Sequence, residues 1–182
     1  IGMNISVVIP TLDNPKDVER VITALNNQNK LPDEIVIVDS SKNNEIDELL
    51  KVVDSKISIT YKRYGRAYRF DRFFLLLGRV PFIKRFFLNL PKGRAYPYEA
   101  TNYGSLIAKH EWIAFLDATT IPNEHWIENY ANFVESGDIK AVFGKTIYLA
   151  NTFFQKILRA STYGSNGIET APGSLMRKKD FF

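Results

Sequence analysis

Two segments of this chain are apolar at consecutive rather than alternate positions. They are Ile5-Ser-Val-Val-Ile9, closed by Pro10, and Glu34-Ile-Val-Ile-Val38, closed by Asp39-Ser40-Ser41. A strand with one wet face alternates apolar and polar residues, so strands without alternation are buried on both faces, as in a parallel sheet covered by helices. The residues between them fit that cover. Asn14-Pro15-Lys16-Asp17 supplies a helix start, with an N-cap, proline at the first helical position and an acid at the third. Val18, Val21, Ile22 and Leu25 follow at helical spacing, and Pro32 ends the connection. Ile46, Leu49, Leu50 and Val53 mark a short second helix, and Ile57 to Tyr61 a third strand. The order β-α-β-α-β predicts a mostly parallel central sheet flanked by helices, a Rossmann-like α/β fold.

The pattern breaks after Tyr61 and resumes near Ala100. Ala100 to Lys109 reads as a helix, and Trp112 to Leu116 as a fourth strand closed by Asp117. Pro122 and Asn123 introduce another helix with Trp126, Ile127, Tyr130 and Val134 on its apolar side. Ile139 to Tyr148 contains a last strand, bent near Gly144, and Phe153, Phe154, Ile157 and Leu158 a short helix. From Tyr163 the tail is rich in glycine and polar residues until Leu175-Met176. With 182 residues, 45% of them apolar, the expectation is one domain over residues 3–182 that folds without metal or disulfide staples. The first apolar run has no basic leader or cleavage site and is not expected to be a signal peptide. No stretch reaches the roughly 18 apolar residues of a membrane span. The absence of cysteine excludes thiolate chemistry and suits a reducing, cytoplasmic setting.

In an open parallel sheet, ligands gather beyond the carboxyl ends of the strands. Three strands end there in small or acidic residues: Pro10-Thr11-Leu12-Asp13, Asp39-Ser40-Ser41 and Asp117-Ala118-Thr119. Acids also end strands because they make good turns, so one alone carries no chemistry. Three on one edge argue together for a crevice in which Asp39 accepts bonds from a nucleobase or ribose and Asp117 sits near a phosphate-bound divalent ion. Without such an ion, carboxylates would repel a diphosphate. No dinucleotide fingerprint follows the first strand and no phosphate loop is present, which argues against a dehydrogenase and a P-loop ATPase. His110 and His125 lie apart without metal-ligand spacing, and Ser105 and Ser174 lack a nucleophile-elbow context.

These motifs resemble glycosyltransferase family 2, the inverting family with the GT-A nucleotide-diphospho-sugar transferase fold. Ser6-Val-Val-Ile-Pro-Thr11 and Glu34-Ile-Val-Ile-Val-Asp39-Ser-Ser look like that family's first two strands. Ala100-Thr-Asn102-Tyr-Gly104 is similar to its Ala-Arg-Asn-x-Gly helix start. Trp112-Ile-Ala-Phe-Leu-Asp117-Ala-Thr119-Thr-Ile-Pro122 is similar to its Phe-Leu-Asp-x-Asp-Asp-x-x-Pro metal motif, and Gly173-Ser-Leu-Met-Arg177-Lys178 to a later Arg-Arg segment. The resemblance implies sugar transfer from a nucleotide-diphosphate donor to an acceptor hydroxyl with inversion. It implies a nucleotide-sugar site of Pro10, Thr11, Asp13, Asp39, Asn102, Asp117 and Arg177, and an Mg or Mn ion at Asp117 and Thr119. The acceptor would be a polysaccharide, another glycan or a lipid-linked sugar. The chain departs from the pattern at Ser40, Thr101, Thr119 and Thr120, where acids or an arginine are usual. A threonine hydroxyl is a weaker ligand than a carboxylate for a hard cation. The family's catalytic base follows the Arg-Lys segment, so the resemblance places it beyond Phe182. The departures leave open a non-catalytic nucleotide-sugar-binding or membrane-surface module. A nucleotidyltransferase is disfavoured, because no glycine-rich activation loop follows the first strand.

Residues 64–98 are extra relative to that family. From Lys62 to Arg94 there are ten Lys or Arg and one acid, Asp71, so the rest of the chain is net acidic although the whole carries +4. Phe70, Phe73, Phe74 and Leu77, then Ile83, Phe86, Phe87 and Leu90, fall at helical spacing on either side of Gly78 and Pro81. They predict two short basic amphipathic helices. Three roles fit: docking of Arg69 to Leu90 on an anionic membrane at its cytoplasmic face, a site for a lipid-linked acceptor, or a self-packed lid or oligomer contact. Nucleic acid is not an expected partner, because the aromatics lie on helical stripes beside leucines.

Overall fold

The computed structural model describes residues 3–66, 93–94, 96–147, 149–162, 168–169 and 172–181. Its central sheet has six strands in the order β3-β2-β1-β6-β10-β7. They are β1 (Ile5–Thr11), β2 (Glu34–Asp39), β3 (Ser58–Arg63), β6 (Trp112–Phe115), β7 (Ala141–Val142) and β10 (Ser174–Arg177). Strands β3, β2, β1 and β6 are mutually parallel. The remaining pair differs: β10 runs antiparallel between β6 and β7. The tail around Leu175 and Met176 therefore completes the sheet, a role its glycine-rich surroundings did not announce. The mostly parallel sheet flanked by helices is the α/β architecture expected from the pattern.

The non-alternating runs are buried as required. All six residues of β2 and all four of β6 are buried. Val7, Ile9, Ile35 and Ile37 face one layer, packed with α1 (Pro15–Asn26), α2 (Glu45–Val52) and α4 (Trp126–Glu135). Val8, Val36, Val38 and Phe115 face the other, against α3 (Pro97–Ile107). Gly104 lets α3 approach closely: a Cβ there would lie 2.5 Å from Val8 Cγ1 and 3.0 Å from Val38 Cγ2. Helix α1 begins where Asn14-Pro15 placed it, but the Asn14 side chain makes no cap bond. Its Nδ2 donates instead to Asp17 Oδ2.

The bent strand expected over Ile139 to Tyr148 is two short strands. β7 joins the main sheet, whereas β8 (Lys145–Thr146) pairs with β9 (Ile168–Glu169). Between them Gly144 is required, because a Cβ would lie 2.0 Å from the Gly173 carbonyl oxygen. Helix α5 (Phe153–Thr162) matches its apolar spacing, and α6 (Lys178–Phe181) follows β10. The amphipathic helices expected between Arg69 and Leu90 lie outside the described residues. At the base of that insert β4 (Gly65–Arg66) and β5 (Gly93–Arg94) pair antiparallel and bring its two ends together. No helix among the described residues is long and apolar enough to cross a membrane.

Candidate functional site

The chain order along the sheet reverses at β1, which has β2 on one side and β6 on the other. In an open α/β sheet the ligand crevice lies beyond the carboxyl ends of the strands that flank such a reversal, here β1 and β6. The segments Thr11-Leu12-Asp13 and Asp117-Ala118-Thr119 border it. Leu116 N–H bonds the Val8 carbonyl at 3.1 Å, which fixes the level at which Asp117 leaves the sheet. Asp13 has a left-handed φ of 50°, and its N–H donates to Ser41 Oγ at 2.7 Å. Ser40 N–H donates to the Thr11 carbonyl at 2.9 Å. The loops after β1 and β2 are thus tied into one rim.

Asp117 is half-buried, and its carboxylate has no hydrogen-bond or ion-pair partner among the described residues. Burial pushes its pKa up from the usual 3.8. Such a group gains from a cation, which restores what the charged form lost on leaving water. Thr119 is exposed two residues on. Thr11 is buried, and its Oγ1 also has no partner among the described residues. Pro10 is half-buried beside Val38, and Asn102 is exposed on α3. Next to Asn102, Tyr103 stacks on Tyr64, with ring centroids 4.5 Å apart.

Asp39 stands level with Thr11 at the end of β2, as expected, but it does not open into the crevice. It is 1% exposed; Oδ1 accepts from Ser41 N–H at 2.8 Å and Oδ2 from the Tyr61 hydroxyl at 2.8 Å. The carboxylate folds its own loop. Arg63 closes the same loop by donating to the carbonyls of Ser41 and Asn43.

Arg177 is separated from the other expected site residues. It pairs in register with Trp112, at the amino end of β6, while Ser174 stands opposite Phe115. Antiparallel pairing therefore puts Arg177 at the far edge of the sheet, roughly 10 Å from Phe115 at about 3.3 Å per residue. Its guanidinium lies over the Trp112 ring at 5.1 Å and beside Glu111 at 3.6 Å. The adjacent Lys178 Nζ donates to the carbonyls of Leu106 and Ala108, closing the carboxyl end of α3. The structure thus places Arg177 at the amino edge, apart from Thr11, Asp13 and Asp117.

That edge also holds a cluster the sequence did not reveal. Glu34 is 1% exposed and accepts from Ser6 Oγ at 2.8 Å, Thr60 Oγ1 at 2.6 Å and Lys109 N–H at 2.9 Å. Lys109 Nζ lies 3.1 Å from Oε1. Burial alone would raise the Glu34 pKa, but the Thr60, Lys109 and Ser6 donors outweigh it and hold the carboxyl below its ordinary 4.5. An acid opening a buried strand was the available signal. His125 precedes α4 and bonds Asn29 and Glu128. A surface depression of about 410 Å³ lies along α1 between Glu19, Arg20, Thr23, Ala24, Asn27 and Ile121. Among the described residues no group of three or more His, Cys, Asp or Glu is placed to hold a metal.

Comparison with known proteins agrees with this architecture. Residues 6–69 match the family model described as glycosyl transferase family 2. Over 149 residues the chain is 24% identical to chondroitin synthase of Escherichia coli, covering 80% of this chain and 18% of that protein. Residues 1–349 of TarS from S. aureus, solved with UDP-GlcNAc, superpose with a TM-score of 0.60 at 16% identity, covering 98% of this chain and 47% of that one. Mannosyltransferase PcManGT from Pyrobaculum calidifontis, solved with GDP-Man and Mn2+, gives 0.61 at 13% identity, covering 98% and 46%. The chain thus spans less than half the length of these relatives. Its fold is GT-A, and its similarity to glycosyl transferase family 2 lies in β1 to β3, the helices between them and the start of the basic insert.

Proposed function

We propose that residues 3–182 form one nucleotide-sugar-binding unit of a glycosyltransferase. Its donor is a nucleotide-diphosphate sugar, and the sugar passes to an acceptor hydroxyl of a glycan or lipid-linked acceptor with inversion. The observation that carries this reading is Asp117: a half-buried carboxylate with no partner among the described residues, at the point where strand order reverses. The family match over residues 6–69 and the folds solved with UDP-GlcNAc and GDP-Man support it.

Asp117, with the Thr119 hydroxyl as a weak second ligand, would hold Mg or Mn. One carboxylate suffices where the diphosphate supplies further oxygens, as magnesium is commonly bound by one or two carboxylates plus substrate phosphates. The donor set fits a cation shared with substrate and not an all-protein cage. Held there, such a cation would supply positive charge against the departing diphosphate. Thr11 offers its buried Oγ1 at the rim, Pro10 and Asp13 shape the wall, and Asn102 would reach the donor from its exposed position on α3. Asp39 acts through its loop and positions Ser41, which in turn holds Asp13. Attack requires a base to take the acceptor proton, and no described residue is assigned that role.

Thr119, where an acid is usual, favours one second reading: a unit that binds the donor without turning it over. Calorimetric titration with UDP-GlcNAc and GDP-mannose, with and without Mn2+, tests both. Metal-dependent binding is expected for one donor, and absence of binding to either in a folded protein overturns both readings. Sugar release or transfer in the same samples separates the first from the second.

A further inference from the structure

The segment after β7 presents a surface that the donor site does not use. Phe153 and Phe154 are 81% and 68% exposed on α5, and Ile157, one turn on, is 49% exposed. These three and Leu158 fall within an arc of about 140° on one helix face. Just before the helix, Ile147 and Leu149 are 59% and 86% exposed. The charge on α5 is one-sided: Phe153–Thr162 holds Lys156 and Arg159 and not one Asp or Glu, in a chain with 20 acids, whereas Lys145 before it stands opposite Glu169 in the β8–β9 pair. Lys156 is exposed on α5, about 60° around the helix from Phe153.

We infer that this face docks on an anionic lipid surface, with the Phe153 and Phe154 rings entering the headgroup boundary and Lys156 meeting lipid phosphate. Apolar area and basic charge on one short helix bind such an interface together, and each weakens when the other is removed. The same charge disfavours a second copy of the chain, because two basic faces would repel. The inference does not depend on donor binding, nor on the insert from Arg69 to Leu90.

The test is flotation of the whole chain with vesicles of phosphatidylcholine alone or with about one-third phosphatidylglycerol. Wild type is expected to float with the anionic vesicles and remain behind with the neutral ones. Phe153→Ser with Phe154→Ser, and separately Lys156→Glu with Arg159→Glu, should each lower partitioning at least about tenfold while the circular dichroism melt stays unchanged. Wild-type-like flotation of both folded variants would assign binding elsewhere and overturn the inference. So would wild type that floats with neither vesicle, or sedimentation showing a dimer that the phenylalanine variant dissolves.

Discussion

The Tyr61 hydroxyl donates to Asp39 Oδ2 at 2.8 Å, across the ends of β3 and β2. The bond turns an acid at a strand end into the anchor of its own loop. Burial, then the Asp39 carboxylate, push the Tyr61 pKa up, so the phenol stays protonated as the donor at any physiological pH. Replacing Tyr61 by Phe leaves a buried carboxylate one donor short, at a cost of about 1–3 kcal/mol. Urea unfolding should show a lower midpoint with an unchanged slope; an unchanged midpoint would mean that the bond does not hold the loop.

Asp117 pits stability against binding. Its pKa is raised by burial, so the folded chain holds that proton to higher pH than the unfolded chain does. Its contribution to stability is therefore greatest below the ordinary 3.8 and is lost as pH rises through the raised value. Asp117→Asn should melt higher than wild type at pH 7, yet bind a nucleotide sugar at least about tenfold more weakly and without response to Mn2+. In wild type, binding should weaken as pH falls, starting above the ordinary aspartate range. A variant that binds like wild type would remove Asp117 from the site.

Glu34 titrates with the opposite sign. Its folded pKa lies below the ordinary 4.5, so its stabilising effect is complete above that value and is lost as pH drops through the depressed one. Glu34→Gln keeps the volume but loses the charge facing Lys109 and turns one acceptor into a donor. A loss of about 3 kcal/mol is expected at pH 7, shrinking toward pH 3. Melting curves across that range check it; parallel pH dependences in the two proteins would show that Glu34 is not the linked group.

Gly104→Ala puts a methyl group against Val8. Overpacking costs about 1–3 kcal/mol, from which the better helix propensity of alanine returns about 1. Val8→Ala should relieve the clash, so a double-mutant cycle should give a favourable coupling of about 1 kcal/mol or more. Additive losses would place the contact elsewhere.

The strands β1, β2 and β6 and the helices α1 and α4 could be read from the chain because their signals are local: runs buried on both faces, a proline at a helix start, apolar residues at helical spacing. The positions of Thr11, Asp39 and Asp117 at one edge followed, since parallel strands all end on the same side. Register and packing decided the rest. Arg177 follows a glycine-rich tail that gave no strand signal, and only antiparallel pairing with β6 carries it to the amino edge beside Trp112. Asp39 looks like any acid after a strand until Tyr61, 22 residues away, is brought over it. Glu34 looks misplaced in an apolar run until Ser6, Thr60 and Lys109 converge on it from three other segments. Hydrophobic period is written residue by residue and fixes which segments must be buried. The partner of a buried polar group comes from a distant part of the chain, so only the folded arrangement determines whether that group binds a ligand or holds the fold.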